Sequence, residues 1–164
     1  MPAAPTAKSP LSPVEVEVIG LFVIAVKLLG MPKSVGEIYG LLFIAPKPLP
    51  LDALVERLTI SKGSASQGLK VLRAFAAVKQ VYVAGDRRDH YAAETELKKL
   101  AAGFIREEIK PRLDSGAERL ELLKSLSDAE NSERGEFFRD RVSKLAQWHA
   151  RSRQLMPLLS TMLD

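Results

Sequence analysis

The chain has no cysteine and only two histidines, His90 and His149. Disulfide staples, thiolate zinc sites, Cys-His nucleophile pairs and thiol-based redox sensing are therefore excluded. There is no G-x-x-x-x-G-K-[ST] loop, no G-x-S-x-G and no H-E-x-x-H, so the commonest nucleotide, acyl-transfer and zinc-protease chemistries lack their motifs. Adjacent carboxylates such as Glu107 and Glu108 do not face one another on a helix. No enzyme activity, metal or cofactor is expected. Long apolar runs are missing too. Lys27, Lys33 and Glu37 break the apolar stretch from Val14 to Ala45, leaving nothing near the roughly 20 residues of a membrane span.

What remains is a chain of 164 residues, 46% hydrophobic and 27% charged, the composition of a soluble globular protein with one domain and an appended element. A cytoplasmic protein without a membrane partner is expected. Its net charge is only +4, from 24 Lys and Arg against 20 Asp and Glu, but the charge is unevenly placed. Residues 57–90 hold Arg57, Lys62, Lys70, Arg73, Lys79, Arg87 and Arg88 against Asp86 and Asp89 alone. The stretches on either side nearly balance. A localised basic segment suits a polyanionic partner, although a solvated face with no partner has the same composition.

Residues 1–12, rich in Pro and Ala, read as a flexible arm and not as a signal peptide. Ser12-Pro13-Val14-Glu15 carries a capping box with Pro at the first helical position, and predicts a helix that ends near Gly30, before Pro32. A second helix is expected from about Lys33 to Ala45, stopped by Pro46 and Pro48. Pro48 to Leu51 reads as an extended connector or short edge strand, and Asp52 as the start of a short helix ending near Leu58. After the turn Thr59-Ile60-Ser61, Ser61 caps a helix over residues 62–77. Two short helices joined this way have the form of a helix-turn-helix. Period-two alternation over residues 79–83 and 89–93 then predicts a β-hairpin with a charged tip, in which Asp86 and Asp89 either hold the arginines by local hydrogen bonding or are simple turn formers, the latter being favoured for Asp86.

From Thr95 the chain is helical. Leu97, Leu100, Phe104, Ile109, Leu113, Leu120 and Leu123 mark one long amphipathic helix, with Pro111 as a kink and Gly116 as a weak point. A break around residues 127–132 precedes a last helix with Phe138, Val142, Leu145, Met156 and Leu159 at three- to four-residue spacing. Two such helices cannot bury their stripes alone, so they are expected to form the arm of a homodimer.

At about 100° per residue, Ala65, Leu69, Leu72 and Ala76 share the inward face of helix 62–77. Gly63, Gln67, Lys70 and Ala74 face outward, flanked by Ser64, Ser66 and Arg73. That face can enter a DNA major groove: Gln67 is suited to a base edge, Ser64 and Ser66 to bases or phosphates, and Lys70 and Arg73 to phosphates. Ser61, Lys62 and Gly63 bring the helix N-terminus and its free amides toward a phosphate. Arg87 and Arg88 at the hairpin tip suit the backbone or minor groove. His90 is compatible either with a phosphate contact or with a simple strand position.

Gly30-Met31-Pro32-Lys33-Ser34-Val35-Gly36-Glu37-Ile38-Tyr39-Gly40-Leu41-Leu42, Leu51-Asp52, Ser61-Lys62-Gly63-Ser64-Ala65-Ser66-Gln67-Gly68-Leu69 and Gly85-Asp86-Arg87-Arg88-Asp89-His90-Tyr91 together resemble the GbsR family, a branch of the MarR-like winged-helix transcriptional regulators. The likeness runs from about residue 14 to 115. It implies an intertwined homodimer that binds an operator through recognition helix and wing, usually as a repressor. The family's namesake is associated with choline sensing, but a quaternary ammonium ion needs an aromatic cage and the aromatics here are scattered. Tyr39 and Phe43, four apart, are the weak candidates for binding a small effector of unknown identity; at that spacing a pair is more often core.

The expectation is thus a mainly α protein with a small β-hairpin. Residues 1–12 form an arm, 13–94 a winged helix-turn-helix whose first helix also packs on the dimer arm, and 95–164 helical dimerisation elements. It binds double-stranded DNA as a homodimer. The alternatives are a winged-helix protein-assembly module and a nonspecific architectural DNA binder.

Overall fold

The computed structural model describes residues 10–163, so most of the expected N-terminal arm lies outside the described residues. The described chain falls into two compact units, one ending at Leu100 and the other beginning at Ala101.

In the first unit, α1 (Pro13–Leu28) opens on a complete capping box: Ser12 Oγ accepts from the Glu15 amide and the Glu15 carboxylate accepts from the Ser12 amide. The helix ends before Gly30, whose φ of 72° suits a residue without a Cβ. Helix α2 (Lys33–Ile44) is the centre of the unit, with Val35, Ile38, Tyr39, Leu41 and Leu42 all buried. Two glycines on one face of α2 set how closely α1 approaches. A Cβ on Gly36 would lie 2.7 Å from the Phe22 carbonyl oxygen, and one on Gly40 would lie 2.7 Å from Ile19 Cα. These are backbone atoms and cannot swing aside.

Strand β1 (Leu49–Pro50) leads into α3 (Leu51–Leu58), the helix α4 (Lys62–Ala74) and the antiparallel strands β2 (Val78–Val81) and β3 (His90–Ala93). The sheet order is β1-β3-β2, with Pro50 opposite His90 and Val81 opposite His90 from the other side. The expected hairpin is therefore part of a three-stranded sheet, and Pro50 sits on an edge strand, where its missing donor does least harm. Helices α2, α3 and α4 followed by this sheet make a winged helix-turn-helix.

Two expected details differ. The helix expected over residues 62–77 stops at Ala74, because Ala76 takes a left-handed φ of 56°. Ala76 is exposed, and the inward face continues instead through Phe75 and Ala77. Asp52 is not a cap: Pro50 occupies that position, and the Asp52 carboxylate is engaged elsewhere.

In the second unit, the expected single helix is three consecutive pieces: α5 (Leu97–Phe104), which begins in the first unit, a π-helical turn (Ile105–Ile109) and α6 (Lys110–Ala129). Pro111 cannot donate, and its ring would collide with the carbonyl at i−4. The turn widens just before it, with the Lys110 amide donating to the Ile105 carbonyl. Helix α7 (Glu133–Leu163) runs on through Pro157 and packs along α6. The His149 ring lies over Gly116, where a Cβ would come within 3.0 Å of Nε2. That nitrogen is 2.7 Å from the Leu113 carbonyl oxygen and donates to it, so Gly116 is a packing site and His149 a structural histidine. Among the described residues, no helix is long and apolar enough to cross a membrane.

Candidate nucleic-acid interface

The turn between α3 and α4 is set by Thr59, whose φ of 55° ends α3, and by Ser61. Ser61 Oγ accepts the Ser64 amide at 3.0 Å and donates to Ser64 Oγ at 2.9 Å. Ala65, Gly68, Leu69 and Leu72 bury the inner face of α4. Gly68 is tightly seated, with Ile38 Cδ1 only 2.5 Å from where its Cβ would stand. The outer face carries Lys62, Gly63, Ser64, Ser66, Gln67, Lys70 and Arg73, all exposed. The sequence placed Gly63, Gln67, Lys70 and Ala74 on this face, flanked by Ser64, Ser66 and Arg73, with Lys62 at the helix N-terminus, and Ala74 is exposed too. Gly63 has open space around it, with only Ser61 Oγ at 3.9 Å from a built Cβ, so the packing of this chain does not itself require a glycine. Among the described residues, Lys62, Lys70, Arg73 and Arg87 have no carboxylate within ion-pair distance. Lys70 and Arg73 flank a cleft of about 470 Å³ closed by Leu51 and Tyr91.

Asp86 is not merely a turn former. Its carboxylate accepts from the Arg88 amide at 3.0 Å, from Arg88 Nε at 3.0 and 3.1 Å and from Arg88 Nη2 at 2.6 Å. Arg88 Nη1 donates to Asp52 Oδ2 on α3 at 2.8 Å. Hydrogen bonding to Arg88 holds the Asp86 carboxyl well below the usual aspartate range, and the same bonds raise the Arg88 guanidinium. Arg88 is thus a strut between wing and helix-turn-helix, and Arg87 is the tip cation without an ion-pair partner among the described residues.

His90 is buried at 5% exposure, with Nδ1 donating to the Arg88 carbonyl at 2.9 Å and Nε2 3.4 Å from Asp86 Oδ2. It braces the wing from inside. Asp89 accepts from Gln80 Nε2 at 2.6 Å across the hairpin. Tyr82, 86% exposed, was not among the candidates from sequence. Its outward position in the alternation Val81-Tyr82-Val83 was the available signal.

Of the two effector candidates, Tyr39 is a core residue, and Phe43, half-buried, belongs to the same aromatic cluster. Tyr39 stands edge-on to Phe22 at 4.7 Å between centroids, and Phe22 also meets Phe43 at 5.2 Å. The Tyr39 hydroxyl donates to the Glu94 carbonyl at 2.6 Å. Burial, with the nearby Glu94 charge, pushes it up to about 12, so it stays a donor.

No family model matches the chain. The HTH-type transcriptional repressor GbsR of Bacillus subtilis is 33% identical over 78 residues, which is 48% of this chain and 43% of that one. The chain thus spans less than half the length of this curated relative. A crystal structure described as that of a transcriptional regulator aligns with a TM-score of 0.56 and 20% identity, covering 85% of this chain and 95% of the other. That likeness establishes a shared fold. The resemblance to the GbsR family, read first from short motifs, thereby rests on a sequence match to the repressor GbsR itself over about half of this chain.

Proposed function

We propose that this chain is a sequence-specific DNA-binding transcriptional regulator, a repressor acting as a homodimer through the outer face of α4 and the wing. The observation that carries the reading is the outer face of α4. It has no large apolar side chain, while Gln67, Ser64 and Ser66 offer donors and acceptors between Lys62, Lys70 and Arg73, cations without an ion pair among the described residues. A module used for protein assembly would expose apolar anchors there. The match to the repressor GbsR supports the same reading.

In this reading Gln67 reads a base edge, and Ser64, Ser66 and the α4 N-terminus at Ser61, Lys62 and Gly63 meet bases and phosphate. Lys70, Arg73 and Arg87 take phosphates, while Arg88 holds the wing in place. Dimerisation is supported by apolar side chains that each unit leaves in solvent. These include Leu21, Ile24 and Leu28 on α1, and Trp148, Leu155, Leu158 and Met162 on α7, all more than half exposed. A two-fold dimer calls for a nearly palindromic operator with half-sites about 34 Å apart or a multiple of it. Selection of bound duplexes from a random pool tests this directly. Enrichment of a palindrome is expected, whereas failure to enrich any sequence favours an architectural or assembly role.

A further inference from the structure

Outside α1, only Tyr82 and Leu97 of the first unit's described residues are large, apolar and more than half exposed, and Tyr82, at 86%, is the more so. Its ring meets no other ring or cation, and its hydroxyl makes no hydrogen bond, among the described residues. Nothing in the packing of the wing calls for a tyrosine here.

The ladder fixes which way it points. Residues opposite one another in an antiparallel pair share a face, and Gln80 stands opposite Tyr91. The turn starts only at Val83, whose carbonyl accepts the Asp86 amide at 3.2 Å. Tyr82 therefore continues the alternation of β2 on the side of Gln80 and Tyr91, while Val81 and Val83 are half-buried on the other. On that same side Tyr91 borders two clefts, one with Ser66, Lys70 and Arg73 of α4 and the other with Lys62 and Arg88. Tyr82 thus stands on the face of the wing that adjoins the cationic outer face of α4. Its exposed neighbours in the hairpin are polar or small: Gln80, Ala84, Arg87 and Asp89, the last with Oδ1 bound by Gln80 Nε2. A protein partner would call for several apolar anchors gathered together. A lone ring with a polar tip suits a surface that offers apolar sugar beside phosphate.

We infer that Tyr82 is a DNA-contacting residue of the wing, its ring packed on a deoxyribose and its hydroxyl donating to a phosphate. The inference rests on the DNA-binding reading above and adds a contact of another kind. Because the phenol neutralises no phosphate charge it releases no counterion, and its contribution persists as salt rises.

Affinity of the full chain for a labelled random-sequence duplex, measured at several salt concentrations, tests this. Tyr82→Ala should weaken binding about five- to tenfold at every salt concentration, with the slope of log K unchanged. Tyr82→Phe keeps the ring and should lose only about two- to threefold. Melting temperature and oligomeric state should match the parent in both variants. Parental affinity in Tyr82→Ala overturns the inference and leaves the DNA-binding reading standing, as does a defect in Tyr82→Phe as large as that in Tyr82→Ala. A changed slope, a lowered melting temperature or a changed oligomeric state overturns it too, since Tyr82 would then act through the wing's cations, the fold or a contact between copies. Absence of duplex binding by the parent would sink the DNA-binding reading itself, and this inference with it.

Discussion

Asp52 on α3 and Arg88 on the wing are joined across 36 positions of sequence by a 2.8 Å bond from Nη1 to Oδ2, while Asp86 grips the other side of the same guanidinium. A wing is a two-stranded projection with little packing of its own, and this bond fastens it to the helix that precedes the recognition helix. The two neighbouring arginines therefore have different work: Arg87 is exposed without an ion pair among the described residues, and Arg88, also exposed, is held by Asp52 and Asp86.

Arg87→Ala should weaken binding to all duplexes alike and reduce the salt slope of log K by about one unit. Arg88→Ala should lower affinity without matching that loss of slope, and Asp52→Asn should reproduce part of the effect although it removes a negative charge. Affinities measured at several salt concentrations separate the cases. Equal slopes for the Arg87 and Arg88 variants would mean that both touch phosphate.

Gln67→Ala should relax base preference at one operator position, at a cost of about 1–3 kcal/mol on the best site and little on random DNA. Lys70→Ala should weaken both by similar factors. Competition binding with single-position operator variants checks this pair.

Gly36→Ala and Gly40→Ala should each destabilise the first unit by about 1–3 kcal/mol, the usual cost of overpacking, because the added methyl meets the backbone of α1 at 2.7 Å. Gly63→Ala, in open space on α4, should leave thermal stability nearly unchanged while lowering affinity for DNA. Melting temperatures of the three variants distinguish a packing glycine from an interface glycine.

The Ser12 amide, and beyond it Arg57 at 2.8 Å, hold the Glu15 carboxyl below the ordinary 4.5 against the opposing effect of burial. The folded-state value is depressed, so the stabilisation is complete above the unfolded value and is lost as pH falls through the folded one. Stability of the parent should therefore decline below about pH 4.5 more steeply than that of Glu15→Gln, as read from denaturant midpoints across pH 3 to 7.

Much of this was legible in the residues. Ser12-Pro13-Val14-Glu15 specified the start of α1, Ser61 the start of α4, and the wheel positions of Gln67, Lys70 and Arg73 their exposure. These are local signals, each written within one or two turns. Ala76 was not legible, because its left-handed backbone follows from the need to turn the chain into β2, and no residue type announces it. Arg88 was read as a DNA contact and His90 was left open between a phosphate contact and a strand position, because sequence gives only their neighbours in the chain. The ion pair with Asp52 and the burial of His90 depend on how the hairpin folds back. The π turn did leave a trace: Phe104 and Ile109 are five apart, where the steps on either side, Leu100 to Phe104 and Ile109 to Leu113, are four.

A π turn amounts to one residue more than an α-helix accommodates, so every side chain of α6 is rotated by about 100° from where an uninterrupted helix would place it. The seat of His149 on Leu113 and Gly116 exists only in that rotated frame. Deleting one residue between Ile105 and Ile109 would send Leu113 and Gly116 around the axis and leave Pro111 obstructing the restored turn. Relatives with one residue fewer here should therefore also lack this proline, so that the insertion and Pro111 are inherited, or lost, together.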